Sequence, residues 1–263
     1  MIKFCSLYSG SSGNSLYVET NKTKLLVDCG ESAKKIINSL SDIDVDIEDI
    51  DGILVTHEHI DHVKSLGTLS KKYDIPVYTN IETLNAMPEQ MTKIKSENIH
   101  LFDFSKDFEI GDLQIHPFAI PHDAANPCAF NILKNNTKLS IATDIGHMTP
   151  EIIANLEKSK FLLLESNYDP NILKCSQYPY HLKERIAGPY GHLSNDSAGK
   201  TISHLIESGL QTVMLGHLSK ENNFPELAYK TVMEEIIYNN KSEKDINLSV
   251  ASRYNHTPVI KIG

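Results

Sequence analysis

Between positions 57 and 62 the chain reads His57-Glu58-His59-Ile60-Asp61-His62, three imidazoles and two carboxylates in six residues. Neutral imidazole nitrogen and carboxylate oxygen are ligands for zinc, manganese or iron, and no thiolate stands here to select a softer metal. Side chains of an extended segment repeat their direction every second residue, so His57 and His59 point the same way. Asp61 and His62 then open a helix and face a second position. This spacing suggests two metal ions, about 3.5–4 Å apart in sites of the two-metal kind. Such a pair lowers the pKa of bound water towards 7 and clamps a phosphoryl group, which is hydrolytic chemistry.

Six residues cannot complete two coordination spheres. Three distant segments share one pattern, an apolar run followed by a ligand-type residue at a turn: Ile120-Pro121-His122, Ala142-Thr143-Asp144 and Leu215-Gly216-His217. An isolated strand-end His or Asp is ordinarily a cap or turn residue. Together with the cluster, these three supply the missing carboxylate and two imidazoles.

Short strands and amphipathic helices must hold these groups in place. Residues 24–28 and 52–56 are nearly continuous apolar runs, as in strands buried on both faces. Residues 2–8 and 15–20 bracket a Gly/Ser turn, and alternation around Gly111 predicts a hairpin over 110–120. Strands are expected at 129–133 and 138–143 about an Asn135-Asn136 turn, at 161–164 and 213–215, and in a final pair, 246–250 with 259–262. Helical spacing covers 31–40, 61–72, 171–176, 182–187, 195–207 and 226–238. Strands fall in two runs, each closed by helices. The expected fold is α/β, a four-layer αββα sandwich forming a single domain over 1–263.

Composition narrows the function. Of 263 residues 40% are hydrophobic and 22% charged, which excludes disorder as the main state. The formal net charge of −9 excludes a broadly basic protein that coats nucleic acid, but not a local basic groove. Runs such as Phe161-Leu162-Leu163-Leu164 stop at Glu165, far short of a bilayer span. The start has no long apolar h-region, and four scattered cysteines read as reduced thiols, so a cytoplasmic protein without membrane contact is expected.

The pattern His-x-His-x-Asp-His, with a later His, Asp and His at strand ends, resembles the metallo-β-lactamase fold superfamily of two-metal hydrolases. The likeness extends to Leu26-Val27-Asp28-Cys29-Gly30 and so spans nearly the whole chain. It implies that His57, His59 and His122 hold one divalent ion (Mn²⁺, Zn²⁺ or Fe²⁺). Asp61, His62 and His217 would hold the other, with Asp144 bridging. It also implies that Asp28 orients a ligand imidazole through its outer N–H. A β-lactamase with a Cys ligand would want a thiol where Asp144 stands, and flavodiiron reductases carry Glu at the position of His59. Ser9-Gly10-Ser11-Ser12-Gly13-Asn14-Ser15 and Gly188-Pro189-Tyr190-Gly191-His192-Leu193-Ser194-Asn195 resemble the WalJ/YycJ-like group of bacterial exonucleases. That likeness implies a DNA substrate, in preference to RNA, double strands and 5′ polarity.

Phosphodiester hydrolysis also needs a proton for the departing alkoxide. His192 is the candidate donor, aimed by Glu165, and Asp61 joins them as a catalytic residue. Ser194 or Asn195 caps the next helix and lies where substrate contacts are expected. Lys174, His181, Lys183, Arg185 and Lys220 offer a local basic groove, and guanidinium grips phosphate bidentately. Ser11, Ser12 and Asn14 either hold a phosphate on backbone N–H groups or form a turn that lets strands approach. Tyr168, Tyr178, Tyr180 and Tyr190 offer faces for base stacking. Other readings of the same residues are an RNA-processing or cyclic-nucleotide phosphodiesterase, a thioester hydrolase, or a metal-stabilised binding module without activity. Nothing in the sequence sets the oligomeric state.

Overall fold

The computed structural model describes residues 1–88 and 93–263. One sheet takes β1 (Ile2–Tyr8), β2 (Ser15–Glu19), β3 (Lys24–Val27), β4 (Gly52–Leu54), β5 (Val77–Thr79) and β6 (Ile99–Leu101) in chain order. The other takes β7 (Phe108–Ile110), β8 (Leu113–Ala119), β9 (Cys128–Lys134), β10 (Thr137–Ala142), β11 (Phe161–Glu165), β12 (Thr212–Gly216) and β13 (Asn247–Val250). The last strand, β14 (Ile260–Ile262), returns to the first sheet and pairs antiparallel with β1. Strands β3 to β6 run parallel, as do β10 to β13.

Strand β11 shows why four layers form. All five of its residues are buried, and alternate side chains enter different cores. Phe161 and Leu163 join the core between the sheets, where Phe161 packs on Phe4 at 4.6 Å between ring centroids. Leu162 and Leu164 join the outer core beneath α5 (Pro150–Leu156), α8 (Asn195–Glu207) and α9 (Pro225–Tyr238). On the other side Leu26, Ile53 and Val55 face α1 (Ala33–Ser41), α2 (Ile60–Val63) and α3 (Leu66–Tyr73), while Leu25, Val27 and Leu54 face the opposing sheet. The order of layers is helix, sheet, sheet, helix. Three further helices, α4 (Ile81–Ala86), α6 (Pro170–Cys175) and α7 (Tyr180–Ala187), lie in the connections.

Two sequence expectations are corrected. The segment 61–72 is not one helix: the Asp61 carbonyl accepts from Asn14 N–H, and Ser65 N–H turns to the Cys29 carbonyl, so the helical ladder breaks between α2 and α3. The two final strands do not pair with each other. Strand β13 extends the second sheet beside β12, whereas β14 edges the first. The hairpin around Gly111 is present as β7–β8, and Gly111 and Asn135 both occupy left-handed backbone at their turns. Among the described residues, no helix is long and apolar enough to cross a membrane.

Candidate active site

The carboxyl ends of β3, β4, β8, β10, β11 and β12 meet at one rim, where the loops of parallel strands ordinarily carry ligands. Three of these loops open with a residue in left-handed backbone: Asp28 (φ 60°), Asp144 (φ 60°) and His217 (φ 54°). That conformation turns the chain sharply at the strand end, and it is uncommon for residues other than glycine. The loops are laced together. Asn14 N–H donates to the Asp61 carbonyl at 2.8 Å, Gly30 N–H to Asn14 at 2.7 Å and Cys29 N–H to His62 at 2.7 Å. Gly30 must be glycine, since a Cβ there would stand 1.6 Å from the Asp61 carbonyl oxygen.

All seven of the His and Asp residues singled out by spacing come together. His57, His59 and His122 offer ligand atoms within 4.8 Å of one another, as do His57, His62 and Asp144, and Asp61, His62 and His217, nitrogens from the imidazoles and oxygens from the carboxylates. His122 Nε2 lies 3.3 Å from His59 Nδ1, and His217 Nε2 lies 3.5 Å from Asp61 Oδ2. His57 Nε2, His217 Nε2 and Asp144 Oδ2 are fully buried and have no hydrogen-bond partner among the described residues. Asp144 Oδ2 approaches His62 Nε2 at 3.3 Å, but without hydrogen-bond geometry. Buried polar atoms left unbonded are costly unless something else satisfies them. Three such atoms at the focus of imidazoles and carboxylates fit divalent cations of the zinc, manganese or iron kind.

The outer ring atoms are fixed in turn. Asp28 Oδ2 lies 2.7 Å from His62 Nδ1 and accepts from Thr56 Oγ1, while Asp28 Oδ1 accepts from Thr56 N–H. His122 Nδ1 lies 3.0 Å from the Gly191 carbonyl oxygen. Glu165 Oε1 lies 2.7 Å from His217 Nδ1 and 2.9 Å from His192 Nδ1, and Glu165 Oε2 accepts from Ile145 and Leu193 N–H. For His62, His122 and His217 this leaves Nε2 directed at the cluster. His192 alone of these rings keeps a substantial exposed edge, 18% of its side chain, bordering a cleft lined by His147, Met148, Tyr168 and Ser194.

Electrostatics divide the rings. Burial and the neighbouring His62 hold His57 well below the usual imidazole range, and burial also lowers His122. For His217 burial acts downwards too, but Asp144, Asp61 and Glu165 outweigh it and raise it to about 10. His62 rises likewise, against burial, through Asp144, Asp28 and Asp61. Burial would raise Glu165, yet His192 and His217 bring it down to about 2. Asp144 falls well below the carboxylate range through His217 and His62, again against burial.

The residues considered for substrate contact are more scattered. Asn14 is buried, its amide 3.1 Å from His62 Nε2, so it belongs with the cluster's supports. Asn195 is fully buried and bonded to Ser166 and Asn223, while Ser194 caps α8 through Ser197 N–H. Arg185 pairs with Asp123 at 2.5 Å, and Lys183 Nζ donates to the Lys174 carbonyl. Lys174, His181, Lys220, Ser11 and Ser12 are exposed. Tyr168 is buried and Tyr178 packs beside it, whereas Tyr180 and Tyr190 are open to solvent. Sequence reading missed Asn167, whose amide holds the His217 carbonyl at 2.8 Å, and Ser9, whose hydroxyl accepts from His217 N–H. Their only signal was adjacency to the Glu165 and Gly10 turns.

A fold of two facing sheets with a His/Asp cluster at one rim defines a class of metal-dependent hydrolase. A family description, the β-lactamase superfamily domain, matches residues 23–217. The chain is 39% identical over 236 residues to the exodeoxyribonuclease WalJ of Streptococcus pneumoniae, covering 89% of this chain and 88% of that one. It is 38% identical over 233 residues to the exodeoxyribonuclease YycJ of Bacillus anthracis, with the same two coverages, 89% and 88%. The metallo-β-lactamase fold protein YhfI of Bacillus subtilis superposes with a TM-score of 0.72 at 17% identity, over 97% of this chain and 98% of that one. The chain therefore belongs to the metallo-β-lactamase fold superfamily and, within it, to the WalJ/YycJ family.

Proposed function

We propose that the chain is a two-metal-dependent phosphodiesterase that acts as a DNA 5′-exonuclease on double strands, with the whole of 1–263 working as one domain. One observation carries the reading: His57, His217 and Asp144 present unbonded buried atoms to a common focus, with His192 at its solvent edge. The naming of the WalJ and YycJ relatives as exodeoxyribonucleases supports DNA as the polymer, in preference to RNA. Reduced, mostly buried cysteines support a cytoplasmic location.

His57, His59 and His122 would hold one ion, and Asp61, His62 and His217 the other, with Asp144 between them. When bound, two such cations supply an ionised water at neutral pH and neutralise the charge on the phosphoryl oxygens. Manganese, zinc and iron(II) all suit this donor set. Asp28 holds His62 so that Nε2 faces inwards, and Glu165 does the same for His217. Glu165 also accepts from His192 Nδ1, which leaves Nε2 free to pass a proton to the leaving O3′. Arg185, Lys183 and Lys220, with Ser194, Ser11 and Ser12, would border the path of the strand, whereas Asn195 and Asn14 are buried and would act only as supports behind it.

Protein loaded with Mn²⁺ or Zn²⁺ should hydrolyse bis-p-nitrophenyl phosphate and release labelled mononucleotide stepwise from a 5′-labelled duplex. Metal content should be measured on the same sample. Two ions per chain with no turnover of either substrate would sink the hydrolase reading in favour of a binding module. Turnover of tRNA precursors in place of DNA would redirect it to RNA.

A further inference from the structure

The chain has two arginines, and the structure treats them differently. Arg185 is matched by Asp123. Arg253 is half-buried, and among the described residues no carboxylate stands within ion-pair distance of it. Its guanidinium lies over Gly10, where a Cβ would stand 2.7 Å from Nη1. Nη1 reaches Ser11 Oγ at 3.4 Å and Ser12 Oγ at 3.3 Å, and Nη2 donates to the Leu218 carbonyl. All three acceptors are neutral. Burial pulls its pKa below the usual guanidinium range, with Tyr254, Glu221 and Tyr178 acting back only through space. A desolvated cation held by neutral groups lacks the anion that ordinarily accompanies it.

The surroundings indicate which anion fits. Leu218 directly follows His217, and Gly10 N–H donates to Asn14 Oδ1, whose amide touches His62 Nε2. The guanidinium is thus tied to the loop that carries His217 and, through Gly10 and Asn14, to His62. Next to it opens a cleft of 330 Å³ with Lys220 on its wall and the exposed rings of Phe224 and Tyr254 at its mouth. A fork of N–H donors flanked by two hydroxyls matches phosphate oxygens. A terminal phosphate monoester carries about −1.5 to −2 charge at pH 7, more than an internal diester's single charge. An unmatched cation therefore discriminates strand ends from strand interiors. The neighbouring rings offer a face for the terminal base.

We propose that Arg253, with Ser11 and Ser12, grips the terminal 5′-phosphate of the strand and makes the enzyme select phosphorylated ends. The assignment rests on the exonuclease reading above. In that reaction water oxygen bonds to the phosphorus of the second nucleotide, the bond to O3′ of the first breaks, and O3′ takes a proton. The terminal phosphate then lies one nucleotide from the reacting phosphorus, on the side of the leaving group.

Two duplexes of one sequence, with 5′-phosphoryl or 5′-hydroxyl ends, test it in metal-loaded wild type, Arg253→Gln and Arg253→Lys of matched melting temperature. Wild type should favour the phosphoryl end by at least about tenfold. Arg253→Gln should lose about 10–100-fold in kcat/KM on that end, chiefly through KM, so that the preference collapses towards one; this is the scale of a charged hydrogen bond. The Lys variant should regain part of it. Equal losses on both ends, or a preserved preference, would overturn the assignment. A calorimetric titration of thymidine 5′-monophosphate against thymidine separates the two readings. Arg253-dependent nucleotide affinity without DNA turnover would leave the phosphate grip standing and remove the exonuclease. Equal affinity in wild type and Arg253→Gln would remove the grip, whatever the activity.

Discussion

Glu165 Oε1 faces two imidazoles, one from the cluster and one from its exposed edge. His192 is therefore separable from the metal ligands in a way that Glu165 is not. His192→Ala should retain two ions per chain by elemental analysis while kcat on DNA falls 10²–10⁴-fold, the cost of a lost general acid. Loss of metal in parallel would make His192 a structural support. The seven His and Asp positions were legible because each sits where an apolar run stops, a pattern local to five or six residues. Arg253 was not legible. Its partners are Ser11, Ser12 and a backbone carbonyl some 240 and 35 positions away, and nothing in Ser252-Arg253-Tyr254 marks such a fold-back. The Gly191 carbonyl beside His122 was equally silent, because a main-chain acceptor has no residue-type signal.

At the level of elements, the rim depends on strands that end abruptly. Asp28, Asp144 and His217 each adopt left-handed backbone, a cost of about 1–2 kcal/mol per residue that the surrounding hydrogen bonds must offset. The turn after β3 is tighter still, since Gly30 packs against the peptide of Asp61. Gly30→Ala should therefore push the Asp61–His62 turn outwards. Thermal melting should show destabilisation of at least about 1–3 kcal/mol, the range of overpacked sites, and bound metal should drop below two per chain. Unchanged melting and metal content would mean that the turn yields freely. Long strands and amphipathic helices could be read from their periods. The three-residue strands β5 and β6 could not, being too short to show any period. The partners of β13 and β14 were misjudged because two adjacent apolar runs look like a hairpin, whatever sheets they join.

For the molecule as a whole, the −9 charge is compatible with a polyanionic substrate because several carboxylates point at the metal focus. The same carboxylates couple metal to pH. In the metal-free fold His217 is raised to about 10, so at pH 6 to 8 its ring carries a proton that an ion must displace; His62 is shifted in the same direction, against its burial, by Asp144, Asp28 and Asp61. Those raised values stabilise the metal-free fold fully below about pH 6.5, the unfolded value, and progressively less as pH rises towards 10. The rise in Tm caused by saturating Mn²⁺ or Zn²⁺ should thus be larger at pH 8 than at pH 6, with protons released on binding. A pH-independent rise would show that neither ring is protonated before the ion enters. The segment 251–259, which carries Arg253, is tied at one end to the second sheet through β13 and at the other to the first through β14. Its crest, Tyr254, is 66% exposed. A single proteolytic nick at Tyr254 would leave both edge strands hydrogen-bonded and the metal ligands untouched, yet cut the tether that presents the guanidinium. The clipped enzyme would keep its architecture and become indifferent to how a strand begins.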